Sequence, residues 1–305
     1  MLILSCSSKL RLLEGTLRRS LPDTLLVYGT VMTINRGNPA AQEVLVDSWP
    51  EFKVVLTRPR REVASDVSDL YTNTYIVYCR DLGDHQALLA SAGAVNWGQS
   101  FCILGNLCPK ASGRAPQQLN IYVLFGSTPG SHPTMTAPKL DPAMRLSSLD
   151  VSHADLLNET WSFGGNEKSR KYLATLIRHF PSICLLDAAG HPVSWIASYP
   201  FGAMGPGYTL HEHRRRGYMV MLINLLAKRL HALGYPSYGL VDVENYSMQR
   251  LQESNLGLGA VPLCTPPRYC RWPSLCPPPQ LSSTPPSPSE RAFRCPRQLP
   301  SLPKS

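Results

Sequence analysis

The chain has 305 residues, 43% of them apolar, with a mean hydropathy of −0.12. That is room for two ordinary domains, or for one with a tail, and no apolar run approaches the roughly 18 residues of a membrane span. The net charge of +9 is spread thinly, with +5 in residues 259–305 and +4 over the other 258 residues, which is too diffuse a footprint for nucleic acid.

The nine cysteines give no C-x-x-C pair and no Cys/His cluster with zinc spacing, so no metal site is expected. The N-terminus, MLILSCSSKLRLLEGTLRRSLP, has a brief apolar start but no A-x-A-like cleavage site, which argues against secretion and for reduced thiols. It is amphipathic, Arg-bearing and poor in acids, as mitochondrial presequences are. Leu10, Leu13 and Leu17 nevertheless share one helical face, so the segment is read as the first helix of the fold.

TLLVYGTVMTIN (24–35) alternates and is rich in β-branched residues, which predicts a strand. After the turn NRGNPAA, EVLVDSW (43–49) and FKVVLTR (52–58), separated by Pro50, read as strands, as does YIVYC (75–79). Residues 83–95 suit a helix around Leu88 and Leu89, and QLNIYVLF (118–125) another strand. Interleaved strands and helices make residues 1–126 an α/β domain. Residues 127–145, with four prolines and no periodicity, form a linker.

A second domain spans 146–258. Two helices flank Gly165, and SICLLD (182–187) pairs with PVSWIASYP (192–200) across an Ala189-Gly190-His191 turn. Next comes YTLHEHRRRGYMVMLINLLAKRLHALG (208–234): a strand end, a basic turn and a helix. Leu222, Ile223, Leu226, Leu230 and Leu233 mark its apolar face. Gly234 suits a left-handed C-terminal residue, and Pro236 bars continuation. Arg214, Arg215 and Arg216 crowd the helix N-terminus, where the dipole disfavours cations. A bound anion would resolve that conflict, with Gly217 allowing close backbone approach. The alternative is a solvated basic turn. A strand at 239–243 and a helix opened by Asn245 follow.

Strand, Arg-x-x-Gly-x-small, then helix resembles the coenzyme A pyrophosphate loop of the GNAT acyltransferase superfamily. Arg214 and Gly217 match, whereas Met219 stands where Gly or Ala is usual. The signatures NRGNP (35–39), DSWPEF (47–52), TWSFGGNE (160–167), PVSW (192–195) and YTLHEHRRRGY (208–218) run in order and are similar to those of the glycine N-acyltransferase family. The resemblance implies a GNAT-like α/β fold in two mixed-sheet halves and transfer of an acyl group from acyl-coenzyme A to glycine, without a metal. It implies a coenzyme A site at Tyr208, Thr209, Leu210, Arg214, Arg215, Arg216, Gly217, Tyr218 and Met219, with Asn245 on the pantetheine arm across a splay between two parallel strands. Likeness to one glycine N-acyltransferase-like branch points to long-chain fatty acyl groups. Mitochondrial localisation follows from the same resemblance, cytoplasmic being the alternative.

Two departures stand out. Counted without gaps from Trp195, the family's glutamate base position falls on Ala203. His211, Glu212, His213, Asp242 and Glu244 are nearby, and spacing singles out none; each reads first as a solvated turn residue or a partner of the arginines. The family pattern also stops near Gly257. Thirteen of the 28 prolines lie in 259–305, which predicts a disordered basic tail and the loss of the two closing strands of a GNAT core. Pro285-x-x-Pro288 in that tail is a candidate ligand for an SH3-type groove. The competing reading is therefore a catalytically weak member acting as a coenzyme A-binding or interaction protein.

Overall fold

The computed structural model describes residues 1–80, 84, 91, 93–105, 119–124, 141–242, 244–255 and 260–263. Helix α1 (Ser7–Arg19) buries Leu10, Leu13 and Leu17, the face its spacing defines. It packs against α2 (Leu25–Asn35), the segment expected from its sequence to be a strand. Leu25 to Thr33 are buried without interruption. A helix buried all round has no polar face to reveal its period, so its composition reads like a core strand. The Thr30 hydroxyl is satisfied within the helix, donating to the Leu26 carbonyl at 3.0 Å.

The first half is built on a five-stranded sheet ordered β1-β2-β3-β4-β5. Its strands are β1 (Leu2–Ile3), β2 (Gln42–Val46), β3 (Val54–Pro59), β4 (Thr74–Cys79) and β5 (Cys102–Gly105). All neighbours are antiparallel except β4 and β5. Val44, Val46, Val55 and Ile76 face α1 and α2; Leu45, Val54, Leu56 and Val77 face the cluster around Phe101. That alternation is the period of two of a strand, and β2, β3 and β4 fall where strands were expected. The helix expected around Leu88 and Leu89 lies outside the described residues.

The second half is a seven-stranded sheet ordered β12-β6-β11-β10-β9-β8-β7. Its strands are β6 (Leu119–Leu124), β7 (Arg145–Ser147), β8 (Ile183–Leu186), β9 (Pro192–Ser198), β10 (Ala203–Thr209), β11 (Ser237–Asp242) and β12 (Ala260–Leu263). Helices α3 (Ala154–Thr160) and α4 (Glu167–His179) cover one face through Leu157, Leu173 and Leu176. Helix α5 (Tyr218–Ala232) covers the other through Leu222, Ile223, Leu226 and Leu230. Gly234 ends it at φ 77°, as a left-handed C-terminal residue. A short α6 (Tyr246–Arg250) runs into a π turn, Leu251–Asn255.

Two placements differ from the expectation. Strand β6, assigned from the sequence to the first half, is hydrogen-bonded between β11 and β12 in the second sheet, where it covers what would otherwise be the open edge of β11. The expectation of disorder from residue 259 fails at Ala260–Leu263, which form β12. Pro262 is tolerated there because β12 is the edge strand, where one side of the backbone needs no ladder partner. Residues 125–140, 264–305 and the Pro285-x-x-Pro288 motif lie outside the described residues.

Four contacts join the halves beside α4. Tyr71 Oη donates to the Phe163 carbonyl at 2.6 Å and accepts from Asn166 Nδ2 at 3.0 Å. Lys168 Nζ pairs with Asp66 Oδ2 at 2.9 Å and also donates to Ser68 Oγ. The Lys168 ammonium, helped by Ser68, holds the Asp66 carboxyl down at about 2. Behind them, α2 meets the second half at Gly29, where an added Cβ would lie 2.0 Å from the Phe201 carbonyl oxygen.

Candidate active site

Parallel strands β10 and β11 pair at only two positions, Ala203 with Tyr238 and Met204 with Gly239. Next along β10 come Gly205, at φ 143°, and Pro206, which has no N–H to give to a ladder. The register of β10 against β9 shifts between Met204 and Gly207. Such a bulge bends the strand, and the two strands part.

A cavity of about 770 Å³ opens at the parting. One wall is β10 from Met204 to Gly207; the opposite wall is β11 from Gly239 to Asp242, continuing to Glu244, Asn245, Met248 and Gln252. Met219 and Ile223 of α5 form the floor. The far end lies between the halves, lined by Leu70, Tyr71, Thr74, Cys102 and Leu104 from the first and by Trp161, Phe163, Tyr172, Tyr199 and Phe201 from the second. The rings pack on one another. Tyr71 lies 5.7 Å from Trp161 and 5.9 Å from Tyr172, and Tyr199 stacks on Phe201 at 5.1 Å. Desolvation pushes the Tyr172 phenol well above the usual tyrosine range, so that wall stays uncharged.

At the other end of β10 lies the basic loop. Arg214, Arg215 and Arg216 are all exposed, and no side chain caps the N-terminus of α5. Arg214 Nε donates to the Thr209 carbonyl at 3.1 Å, and its guanidinium lies over the Tyr208 ring, 5.1 Å from the centroid. Gly217 begins the helix at φ 75°, a conformation favouring glycine. Unpaired helix N–H groups, three exposed cations and a bare backbone thus meet at one turn, a fit for a pyrophosphate. From Thr209 back to Met204 is five residues, about 17 Å at roughly 3.3 Å per residue.

The residues expected at the site divide into two groups. The loop gathers Arg214, Arg215, Arg216 and Gly217, while Met219, Glu244 and Asn245 line the cavity. Met219, where a small residue was expected, turns under the sheet; its Cε would lie 3.4 Å from a Cβ on Gly207, so the missing side chain of Gly207 makes its room. Asn245 caps α6, its Oδ1 accepting from the Met248 N–H at 3.2 Å. Tyr208, Thr209, Leu210 and Tyr218 instead serve the framework. Tyr208 packs on Trp195, Thr209 Oγ1 bonds Ser194 Oγ at 2.8 Å, the Leu210 N–H donates to Val193, and Tyr218 is buried with Leu185 and Val193. His211 and His213 sit on the turn before the loop and line no part of the cavity.

Ala203 is fully buried, facing the α1–α2 core beside Tyr238, whereas the next residue, Met204, faces the cavity. Counting along the sequence located that position but not its side of the strand. The far-end rings and Gln252 were missed altogether. TWSFGGNE marked Trp161 and Phe163 without giving them a role, and no local pattern pointed to Tyr71 or Gln252.

The chain is similar to known proteins over most of its length. The family described as aralkyl acyl-CoA:amino acid N-acyltransferase matches residues 1–112 and 124–181, and its C-terminal region matches 183–272. Glycine N-acyltransferase of Bos taurus is 37% identical over 295 residues, covering 89% of this chain and 98% of that one. Glycine N-phenylacetyltransferase of the same species is 36% identical, covering 83% and 93%. Among solved structures, a Drosophila protein from a structural genomics consortium superposes with a TM-score of 0.63 at 15% identity, over 85% of this chain and 94% of that one.

The placement of Ala203 carries a prediction. Ala203→Glu puts an unpaired carboxylate into an apolar core and should cost on the order of 3–5 kcal/mol in denaturant unfolding, with no gain in activity. Unchanged stability together with faster turnover would show that this position reaches the cavity after all.

Proposed function

The chain belongs to the aralkyl acyl-CoA:amino acid N-acyltransferase family and is an acyltransferase; we propose that it transfers an acyl group from acyl-coenzyme A to the amine of glycine. One observation carries the reading. An uncapped helix N-terminus with three exposed arginines stands at one end of a parted strand pair, and a deep cavity opens at the other. The pyrophosphate binds at Arg214–Gly217, the pantetheine arm runs along β10 toward Met204, and the thioester comes to rest at the point of parting. Asn245, with its carbonyl oxygen committed to the cap, offers its amide N–H groups to the arm.

The reaction needs no acyl-enzyme. The neutral amine attacks the thioester carbonyl, the C–N bond forms, the C–S bond breaks, and the thiolate takes up a proton as it leaves. On the cavity side, β10 beyond Met204 has no paired position with β11, which leaves backbone groups available to the carbonyl oxygen. Of the base candidates, Asp242 and Glu244 line the cavity; Asp242 Oδ1 already accepts from the Glu244 N–H at 2.9 Å, and we assign Glu244 removal of the amine's proton.

The acyl group lies against the far-end rings. The finer reading is a long-chain fatty acyl group, supported by the size of the cavity and by its uncharged far end. A second reading, an arylacyl group, is favoured by the stacked rings and by the phenylacetyl-transferring relative. Thiol release with glycine and a series from phenylacetyl- to palmitoyl-coenzyme A decides between them. No release with any donor would leave the reading of a coenzyme A-binding, catalytically weak member.

Two variants test the assignment. Aspartate is among the few side chains that tolerate a left-handed backbone, so Gly217→Asp should keep the fold while its charge repels the pyrophosphate. Coenzyme A affinity by calorimetry should fall by about 10-fold or more, as loss of a charge-assisted contact implies. Equal affinities would remove the pyrophosphate from this loop. Glu244→Gln should lower kcat/KM by about 100-fold at neutral pH, with a smaller deficit at high pH, where glycine is already deprotonated. A deficit independent of pH would exclude Glu244 as the base.

A further inference from the structure

Gln252 sits on the π turn after α6 and is 4% exposed, with its side chain lining the cavity. Its Nε2 lies 3.9 Å from Met248 Sδ, and its Oε1 is buried without a hydrogen-bond partner among the described residues. A thioether sulfur is a weak acceptor and never a donor, so it fixes the N–H end of the amide toward Met248 and the oxygen away from it. A buried carbonyl oxygen left unpaired destabilises a fold, and such a group in a native site calls for an explanation.

Its location supplies one. A Cβ built on Gly239 would lie 3.7 Å from Gln252 Nε2, and Gly239 pairs with Met204 at the last rung before β10 and β11 part. The amide nitrogen therefore stands where the strands divide, one side chain from where the thioester comes to rest on the reading above, and the oxygen is bonded to the same carbon. A group bonded at that point must bring an N–H, because the oxygen can only accept.

We propose that Gln252 positions the nucleophile, its Oε1 accepting a hydrogen bond from the amine of the acceptor amino acid. The inference rests on the acyl-transfer reading. A neutral amide does not take the proton; it holds one amine N–H so that the nitrogen lone pair faces the thioester carbonyl, while Glu244 on the same wall receives the proton that is lost. Orientation of this kind adds rate without any covalent step.

The experiment compares wild type with Gln252→Met and Gln252→Glu. Methionine keeps the length and flexibility of glutamine but removes the acceptor; glutamate keeps an acceptor. Gln252→Met should raise the glycine KM by about 10-fold, the equivalent of one lost hydrogen bond to an amine, and leave the acyl-coenzyme A KM unchanged. Its melting temperature should equal or exceed that of wild type, because an unpaired buried oxygen has been removed. Gln252→Glu should retain most of the glycine affinity. A raised acyl-coenzyme A KM with glycine KM unchanged would transfer the contact to a pantetheine amide N–H and overturn the proposal. Lowered stability with both KM values unchanged would make Gln252 a packing residue and overturn it equally. Absence of thiol release by wild type itself would instead overturn the acyl-transfer reading on which the proposal stands.

Discussion

Two rungs hold β10 and β11 together, and the loss of every rung beyond them is the constraint on which the site depends. Gly205 and Pro206 break the ladder from within. The first adopts a backbone conformation that other residues avoid, and the second has no N–H. Once parted, the strands expose backbone groups and need something to lie between them. Helix α5 follows directly from β10, so the same strand leads at one end into the cavity and at the other into the arginine loop. Cofactor loop and reaction point are thus fixed to one rigid element about 17 Å long, at roughly 3.3 Å per residue.

The first half contributes more than support. Tyr71 closes the far end of the cavity against Trp161 and Tyr172, and its hydroxyl bonds the Phe163 carbonyl and the Asn166 amide. Helix α2 abuts the Phe201 backbone at Gly29, so the wall bearing Tyr199 and Phe201 is braced from behind. Strand β6 crosses into the second sheet and covers β11, and β12 in turn covers β6. The sheet edge that a truncated core would expose is filled in this way by a strand from far earlier in the chain.

How much of this was legible depended on whether the signal was local. The face of α1, the strand segments of β2 to β4, the β8–β9 hairpin and the ending of α5 at Gly234 are all short-range patterns, and they appear as read. Helix α2 misled because burial on every side erased its periodicity. Strands β6 and β12 could be seen as segments or missed, but their sheet depends on pairing with residues more than 100 positions away. At the site, the basic loop announced itself by a charge conflict at a helix start, Glu244 by proximity in sequence, and Asn245 through the family resemblance. Ala203 was located by counting, yet a strand's two faces differ by one residue, and the structure puts Ala203 on the core side. Gln252 carried no signal, since its meaning lies in burial and a missing partner.

The central claim is that the parting of β10 and β11 places the thioester at Met204–Pro206 with the acyl group running between the two halves. A crystal structure with a non-hydrolysable thioether analogue of acyl-coenzyme A tests it most directly. The account predicts pyrophosphate at Arg214–Gly217, sulfur within van der Waals contact of the β10 bulge, and the acyl chain against Tyr71, Trp161 and Tyr199. An analogue bound with its acyl chain in solvent, or with its sulfur away from the bulge, would contradict it.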